Sequence, residues 1–522
     1  MHTESGDTFR KMTSARVLTR NAAANLVRPG ISWLIVMVLP PLLVRVLDQS
    51  SYATWMLLLQ VSAYITLIEN SIDRVTMRFV ARARGLGDND YMGKMVSSAG
   101  VVLLAGAMLG TLLCIVISWK LPVLFRSVPS DILPDAKRAL LITGCSIAAA
   151  LPFSVYSGIF RGYQRNEIPA IGTTVGKVLG TIGVAWAAWH RQGLTAMALW
   201  TAVGTVFTRA IYVVVWRRWP MKNLIHIARV RTAAMREFLS IWSAMTAAQL
   251  CGILITGLDL PIVAAFDFSA AAYYAVAATL TSLLLVPQSS ILDAVLPAMS
   301  SLSANSPPDR VGGVAIRLTR YANAISFLIA LPLLFGMQPF LRVWVTEKYA
   351  VHVLPLAVVL VVAQMVRSCV SPYVMTAFSA GQQKQTLISP FIEGPVNLVV
   401  SLLLVRRIGA LGVALGTLLG AVVGVIVHLT VSMRLTDALR MSRLDFLGEG
   451  ILRPLICVLP ALALLLVFQW LHPPVTVHLL AVAAGEAIAA GGLLLGNFKA
   501  AERAQFVGWG RRCVTSLTSG FA

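Results

Sequence analysis

Apolar runs long enough to cross a bilayer recur about fourteen times along this chain, and that recurrence constrains its fold more than any other feature. A helix needs roughly 20 apolar residues to span the hydrocarbon core. There the backbone must satisfy its own hydrogen bonds, which a helix does within one segment. The runs lie near 24–46, 52–72, 95–118, 138–158, 169–189, 194–216, 240–262, 269–294, 319–343, 353–377, 387–405, 410–433, 452–471 and 477–496. Charged residues make up only 12% of the 522 and hydrophobic residues 57%, whereas a soluble domain carries roughly 25% charge. No polar stretch is long enough for a soluble core. The expected class is an all-α polytopic membrane protein.

The formal net charge of +21 does not indicate nucleic acid, because the basic residues sit in short loops between spans. With the N-terminus inside, a tally of Lys and Arg gives roughly 29 cytoplasmic against 10 outside. Arg74, Arg78, Arg82, Arg84 and Lys94, then Arg217, Arg218 and Lys222, fall inside. Both termini are therefore expected in the cytoplasm. The following apolar run is long enough to remain as a span, so no cleavable leader is expected. Six scattered cysteines form no CxxC pair and read as small packing residues.

The chain also contains a duplication. Arg191, Gly193, Ala198, Leu199, Thr201 and Gly204 recur as Arg407, Gly409, Ala414, Leu415, Thr417 and Gly420 at a constant offset. In the same order, Ile72-Asp73 matches Leu292-Asp293, Pro122–Arg126 resembles Pro339–Arg342, and Arg161–Arg165 matches Ala380–Lys384. Each unit holds six spans, an even number, so both enter the membrane from one side. Parallel repeats are related by an axis along the membrane normal. The expected organisation is a cytoplasmic segment 1–23, a six-helix bundle 24–216, a cytoplasmic linker 217–239 and a second six-helix bundle 240–433. A loop with two extra helices at 434–496 and a cytoplasmic tail 497–522 complete it. Two parallel bundles would enclose a central cavity.

Several loops are similar to those of polysaccharide flippases. Leu43–Leu57 (LVRVLDQSSYATWML) resembles the junction of their first two helices, and Phe160–Asn166 (FRGYQRN) the loop after the fourth. Ala272–Val276 (AYYAV), with Leu296-Pro297 downstream, resembles the eighth helix, and Gly409–Thr417 (GALGVALGT) the start of the twelfth. The resemblance runs from about residue 20 to 435. It is to the Wzx-like branch of the multidrug/oligosaccharidyl-lipid/polysaccharide exporter superfamily. It implies two bundles around a cationic cavity, alternating access, and an undecaprenyl-pyrophosphate-linked oligosaccharide as substrate. Membrane lipid, a polysaccharide polymerase and assembly proteins are the implied partners of a monomer in a bacterial inner membrane, serving O-antigen, capsule or exopolysaccharide synthesis.

An ionisable residue at membrane depth is costly and so marks a functional site. Lys177 lies mid-span, as does Arg367; Arg209 sits in an inner half and Arg28 near an inner end. These four are the candidate substrate-binding groups, because guanidinium and ammonium groups suit a pyrophosphate. Arg28 can also snorkel to the interface. Glu393 and Glu486 are candidates for ion coupling or for neutralising a buried base. Asp73, Asp293 and Asp259 lie at span ends, where gate or interface roles fit.

No HExxH, P-loop or GxSxG motif occurs and the seven histidines are dispersed. No enzyme activity, cofactor or metal is expected, and an ion gradient is the expected energy source. A multidrug or cation antiporter of the same superfamily and a lipid II flippase are the competing readings. A major facilitator would show glycines around Asp73-Arg74, which Glu69–Arg78 (ENSIDRVTMR) lacks. A membrane glycosyltransferase would need a longer external loop.

Overall fold

The computed structural model describes residues 15–219, 229–498 and 502; for Ala15–Pro29, Asp293 and a few other positions only the backbone is described. Among the described residues the only regular structure is helical. Its long helices are α1 (Ala15–Val46), α2 (Gln49–Leu86), α3 (Asn89–Leu124), α4 (Leu133–Gly162), α5 (Glu167–Trp189), α6 (Gly193–Arg217) and α7 (Thr232–Gly257). They continue with α8 (Phe268–Asn305), α9 (Pro308–Phe335), α10 (Glu347–Ser379), α11 (Gln383–Ile408), α12 (Ala410–Leu435), α13 (Arg443–Leu471) and α14 (Val475–Asn497). Thirteen of these, α2 to α14, are long and apolar enough to cross a membrane. The protein is thus a multi-pass, all-α membrane protein.

Helices run past their apolar stretches where a cap permits. The second run ends near 72, yet α2 continues through its basic end to Gly87, which takes φ +70° and closes the helix on the carbonyls of Ala83 and Arg84. The expected ninth span, 319–343, is two helices. Here α9 begins at Pro308 and stops at Gly336, and Met337–Trp344 forms a separate short helix.

Contacts divide the chain into two compact units. The first is Met1–Thr279 with Leu398–Val413; the second is Leu280–Asn397 with Ala414–Ala522. In the first unit α5 and α6 approach closely because Gly172, Gly176, Gly180 and Gly183 line one face of α5 at helical spacing. A Cβ on Gly204 of α6 would lie 3.0 Å from the Gly180 backbone. The FRGYQRN segment closes this unit. Phe160 is fully buried against Tyr212 and Trp219, Arg161 pairs with Asp73 of α2 at 2.9 Å, and Tyr163 packs its ring on Trp219.

The second unit has two apolar clusters. One joins Phe327, Leu331 and Phe335 of α9 to Val458, Leu465, Val482 and Leu493 of α13 and α14. The other joins Val311 and Ala315 to Tyr373, Met433 and Phe446.

Two local turns recur. Gly193 (φ +83°) and Gly409 (φ +61°), matched in the duplication, each sit at the start of a helix whose first amides are capped by an aspartate from elsewhere in the first unit. Asp135 accepts from Leu194 N at 2.5 Å and Asp267 from Ala410 N at 3.1 Å. The second recurrence corrects the register of the Arg161–Arg165 match. Gln164 (φ +60°) and Gly381 (φ +77°) occupy the same left-handed position, each followed by an amide that bonds back to the fifth residue before it. Their offset is 381 − 164 = 217, whereas matching Arg161 to Ala380 requires 219.

Candidate functional site

The first unit holds a ladder of buried charge on α2. Glu69 and Asp73 are one turn apart and share a face. Glu69 accepts from Arg209 of α6 at 2.6 Å, and Asp73 from Arg161 of α4 at 2.9 Å. The Arg209 side chain is 12% exposed, with its guanidinium 5.6 Å from the Tyr212 ring centroid. Among the described residues its Nε is buried without a hydrogen-bond partner, and Asp73 Oδ1 is likewise. Lys177 lies on α5 just after Gly176, exposed, and donates to Ser32 Oγ of α1 at 3.3 Å. Asp259 is buried and accepts from the Tyr274 hydroxyl at 3.1 Å, so the AYYAV segment braces it. Tyr273, its neighbour, donates to Gln49 of the LVRVLDQSSYATWML segment.

The second unit holds a matching pair. Arg367 Nε of α10 donates to Glu393 Oε1 of α11 at 2.8 Å, and Nη1 reaches Gln364 at 3.4 Å. Glu393 is buried, and its carboxylate fills the space a side chain at Gly424 of α12 would take; a Cβ there would lie 2.5 Å from Oε2. Among the described residues Arg367 Nη2 is buried without a partner. Glu486 is half-buried on α14, its Oε2 without a hydrogen-bond partner among the described residues.

The structure thus sets Arg209 with Glu69 and Arg367 with Glu393, and it leaves Lys177 against a hydroxyl. Arg28 lies on α1 and Asp293 on α8; both side chains lie outside the described residues.

Sequence reasoning missed Glu69 and the cluster around Arg320. Glu69 sits one turn before Asp73, and that spacing was the available signal. Arg320 is fully buried on α9, with Glu502 at 2.6 Å and Glu449 at 3.1 Å. Arg453 shares Glu449 at 2.7 Å and donates to the Gly496 carbonyl at 3.0 Å. Glu449 and Gly496 lie in the segments Phe446–Leu452 and Leu493–Asn497, which are both π-helical. Two arginines and two glutamates, formally neutral, therefore tie α13 and α14 to α9. Among the described residues no cluster of His, Cys, Asp and Glu is placed to hold a metal.

Residues 18–303, more than half of the chain, match the family of polysaccharide biosynthesis proteins, and the chain belongs to it. Solved structures share its fold. The lipid II flippase MurJ in an inward closed conformation superposes with a TM-score of 0.64 at 15% identity, over 90% of this chain and 98% of that one. An inward-facing multidrug resistance MATE family transporter of the MOP superfamily gives 0.58 at 16% identity, covering 78% and 96%. A MOP superfamily transporter from Pyrococcus furiosus gives 0.57 at 14% identity, covering 79% and 93%. No curated protein sequence matches the chain significantly. The chain is thus a member of the polysaccharide biosynthesis protein family with the fold of these membrane transporters.

Proposed function

We propose that this protein moves an undecaprenyl-pyrophosphate-linked oligosaccharide from the cytoplasmic to the periplasmic leaflet of a bacterial inner membrane. It does so by alternating access coupled to an ion gradient, with both termini cytoplasmic, and feeds a polymerase in O-antigen, capsule or exopolysaccharide synthesis. Lys177, Arg209 and Arg367, with Arg28, hold the head group in a cationic cavity. The observation that carries this reading is that a member of this family places the bases Lys177, Arg209 and Arg367 on membrane-spanning helices. Arg209 and Arg367 are each balanced by a glutamate, Glu69 and Glu393, whose place a head-group phosphate would take. Basic groups can sit at this depth together only where water or an anion solvates them.

A deletion strain tests it. Cells lacking the protein should accumulate the lipid-linked glycan and lose surface polysaccharide. Wild type should restore export, and Lys177→Ala with Arg367→Ala, at native protein level, should not. Normal export by that double variant would sink the reading. Arg367→Lys should keep part of the activity, because charge survives while the two-pronged fork does not. Reporter fusions at residue 128 should be periplasmic and at residue 225 cytoplasmic.

A further inference from the structure

Arg367 is held by one carboxylate in a slot built for it. Glu393 is 6% exposed at the side chain, its Oε1 on Arg367 Nε and its Oε2 against the bare backbone of Gly424. Ser389, one turn earlier on α11, donates to the Gly424 carbonyl at 2.7 Å and holds the two helices at that distance. The Arg367 side chain, by contrast, is 23% exposed, and its Nη2 has no hydrogen-bond partner among the described residues. The charged group the structure sets against Glu393 is Arg367 of α10. From α12 it meets Gly424, and His428, one turn on, packs its ring edge on Tyr373 instead. Gln364, the remaining polar neighbour of Arg367, carries no charge.

We propose that Glu393 is a built-in counter-ion that an anionic phosphate displaces from Arg367, and that one proton on Glu393 accompanies the exchange. This rests on the anionic head group proposed above. When a phosphate oxygen takes Arg367, the Glu393 carboxylate loses its cation. A carboxylate buried without a partner is driven to its neutral form, since an unpaired buried charge costs several kcal/mol. A proton from hydronium in the adjoining water adds to a Glu393 oxygen, forming O–H and leaving water; no other group changes. When the head group leaves, the proton returns to water and the ion pair re-forms. The loaded site then holds one cation, one phosphate and a neutral acid, rather than two anions sharing a guanidinium. The exchange is a property of binding and is measurable without any gradient.

The test uses the full chain in nanodiscs, with farnesyl pyrophosphate as probe and inorganic pyrophosphate as comparison. Titration calorimetry in buffers of different ionisation enthalpy counts the protons taken up. Wild type should take up about one proton more per probe bound than Glu393→Gln, and Glu393→Gln should bind roughly tenfold tighter, having lost the internal competitor. Gly424→Ala, which pushes the carboxylate out of its slot, should shift affinity the same way if Glu393→Gln proves unstable. Equal proton counts in wild type and Glu393→Gln, or weaker binding by Glu393→Gln, would overturn the exchange while leaving the substrate reading in place. Binding of inorganic pyrophosphate with none of the prenyl compound, or of neither by monodisperse protein, would overturn both.

Discussion

Two Arg–Glu pairs on the apolar helices, Arg209–Glu69 and Arg367–Glu393, use the same chemistry with opposite burial. In Arg209–Glu69 the arginine is the more hidden partner, at 12% against 19% exposure. In Arg367–Glu393 the glutamate is, at 6% against 23%. The difference matters because the partners fail differently when left alone. A guanidinium cannot shed its charge at any accessible pH, whereas a carboxylate becomes neutral by taking a proton. A pair whose buried member is arginine is therefore a fixed brace. A pair whose buried member is glutamate can open and close. The Arg320 cluster extends the comparison: there the buried arginine, 2% exposed at its side chain, is gripped by two carboxylates and is a brace of the firmest kind.

Substitutions can break this contrast. Arg320→Ala should have the largest effect, because it opens a cavity and removes the buried arginine that Glu502 and Glu449 share. A loss of about 3–5 kcal/mol is expected, read as a fall in melting temperature in detergent and in steady-state level. Glu69→Gln should come next, since it leaves Arg209 charged with a neutral amide in place of its counter-ion and the Tyr212 ring beside it. A loss of about 3 kcal/mol is expected, largely recovered in the Glu69→Gln, Arg209→Met double variant. Wild-type stability of Glu69→Gln would show that water already solvates Arg209. Arg367→Ala should cost less, about 1–2 kcal/mol, because Glu393 can neutralise itself. If Arg367→Ala is as damaging as Glu69→Gln, the contrast between brace and switch fails. Lys177→Ala should be the smallest change in stability, within about 0.5 kcal/mol, yet it should abolish export.

Much of the fold was legible because a bilayer imposes one length on every span. The runs from 52–72 to 477–496 fall on long helices, except that 240–262 and 319–343 each pass the end of one into a following short helix. The ends were harder to read. The polar turns of α2 beyond residue 72 and of α9 before residue 319 stay helical, so apolarity does not mark where they stop. The break at Gly336 escaped because apolar residues lie on both sides of it. Of the site, the helices that carry Lys177, Arg209 and Arg367 could be read directly, since each lies well inside an apolar run. Their partners could not, with one exception: Glu69 shares a helix face with Asp73. Pairings such as Arg320 with Glu502, 182 residues apart, exist only once the chain is folded.

The central claim is that the chain carries a lipid-linked glycan across the bilayer, and purified protein in vesicles tests it most directly. Vesicles would be made with an undecaprenyl-pyrophosphate-linked oligosaccharide, radiolabelled in the sugar and present in both leaflets, and a glycosidase added outside. Without protein about half of the label is protected. With wild-type protein nearly all of it should become accessible, and with the Lys177→Ala, Arg367→Ala variant half should stay protected. Continued protection with wild-type protein, in vesicles where it moves an organic cation instead, would contradict the account.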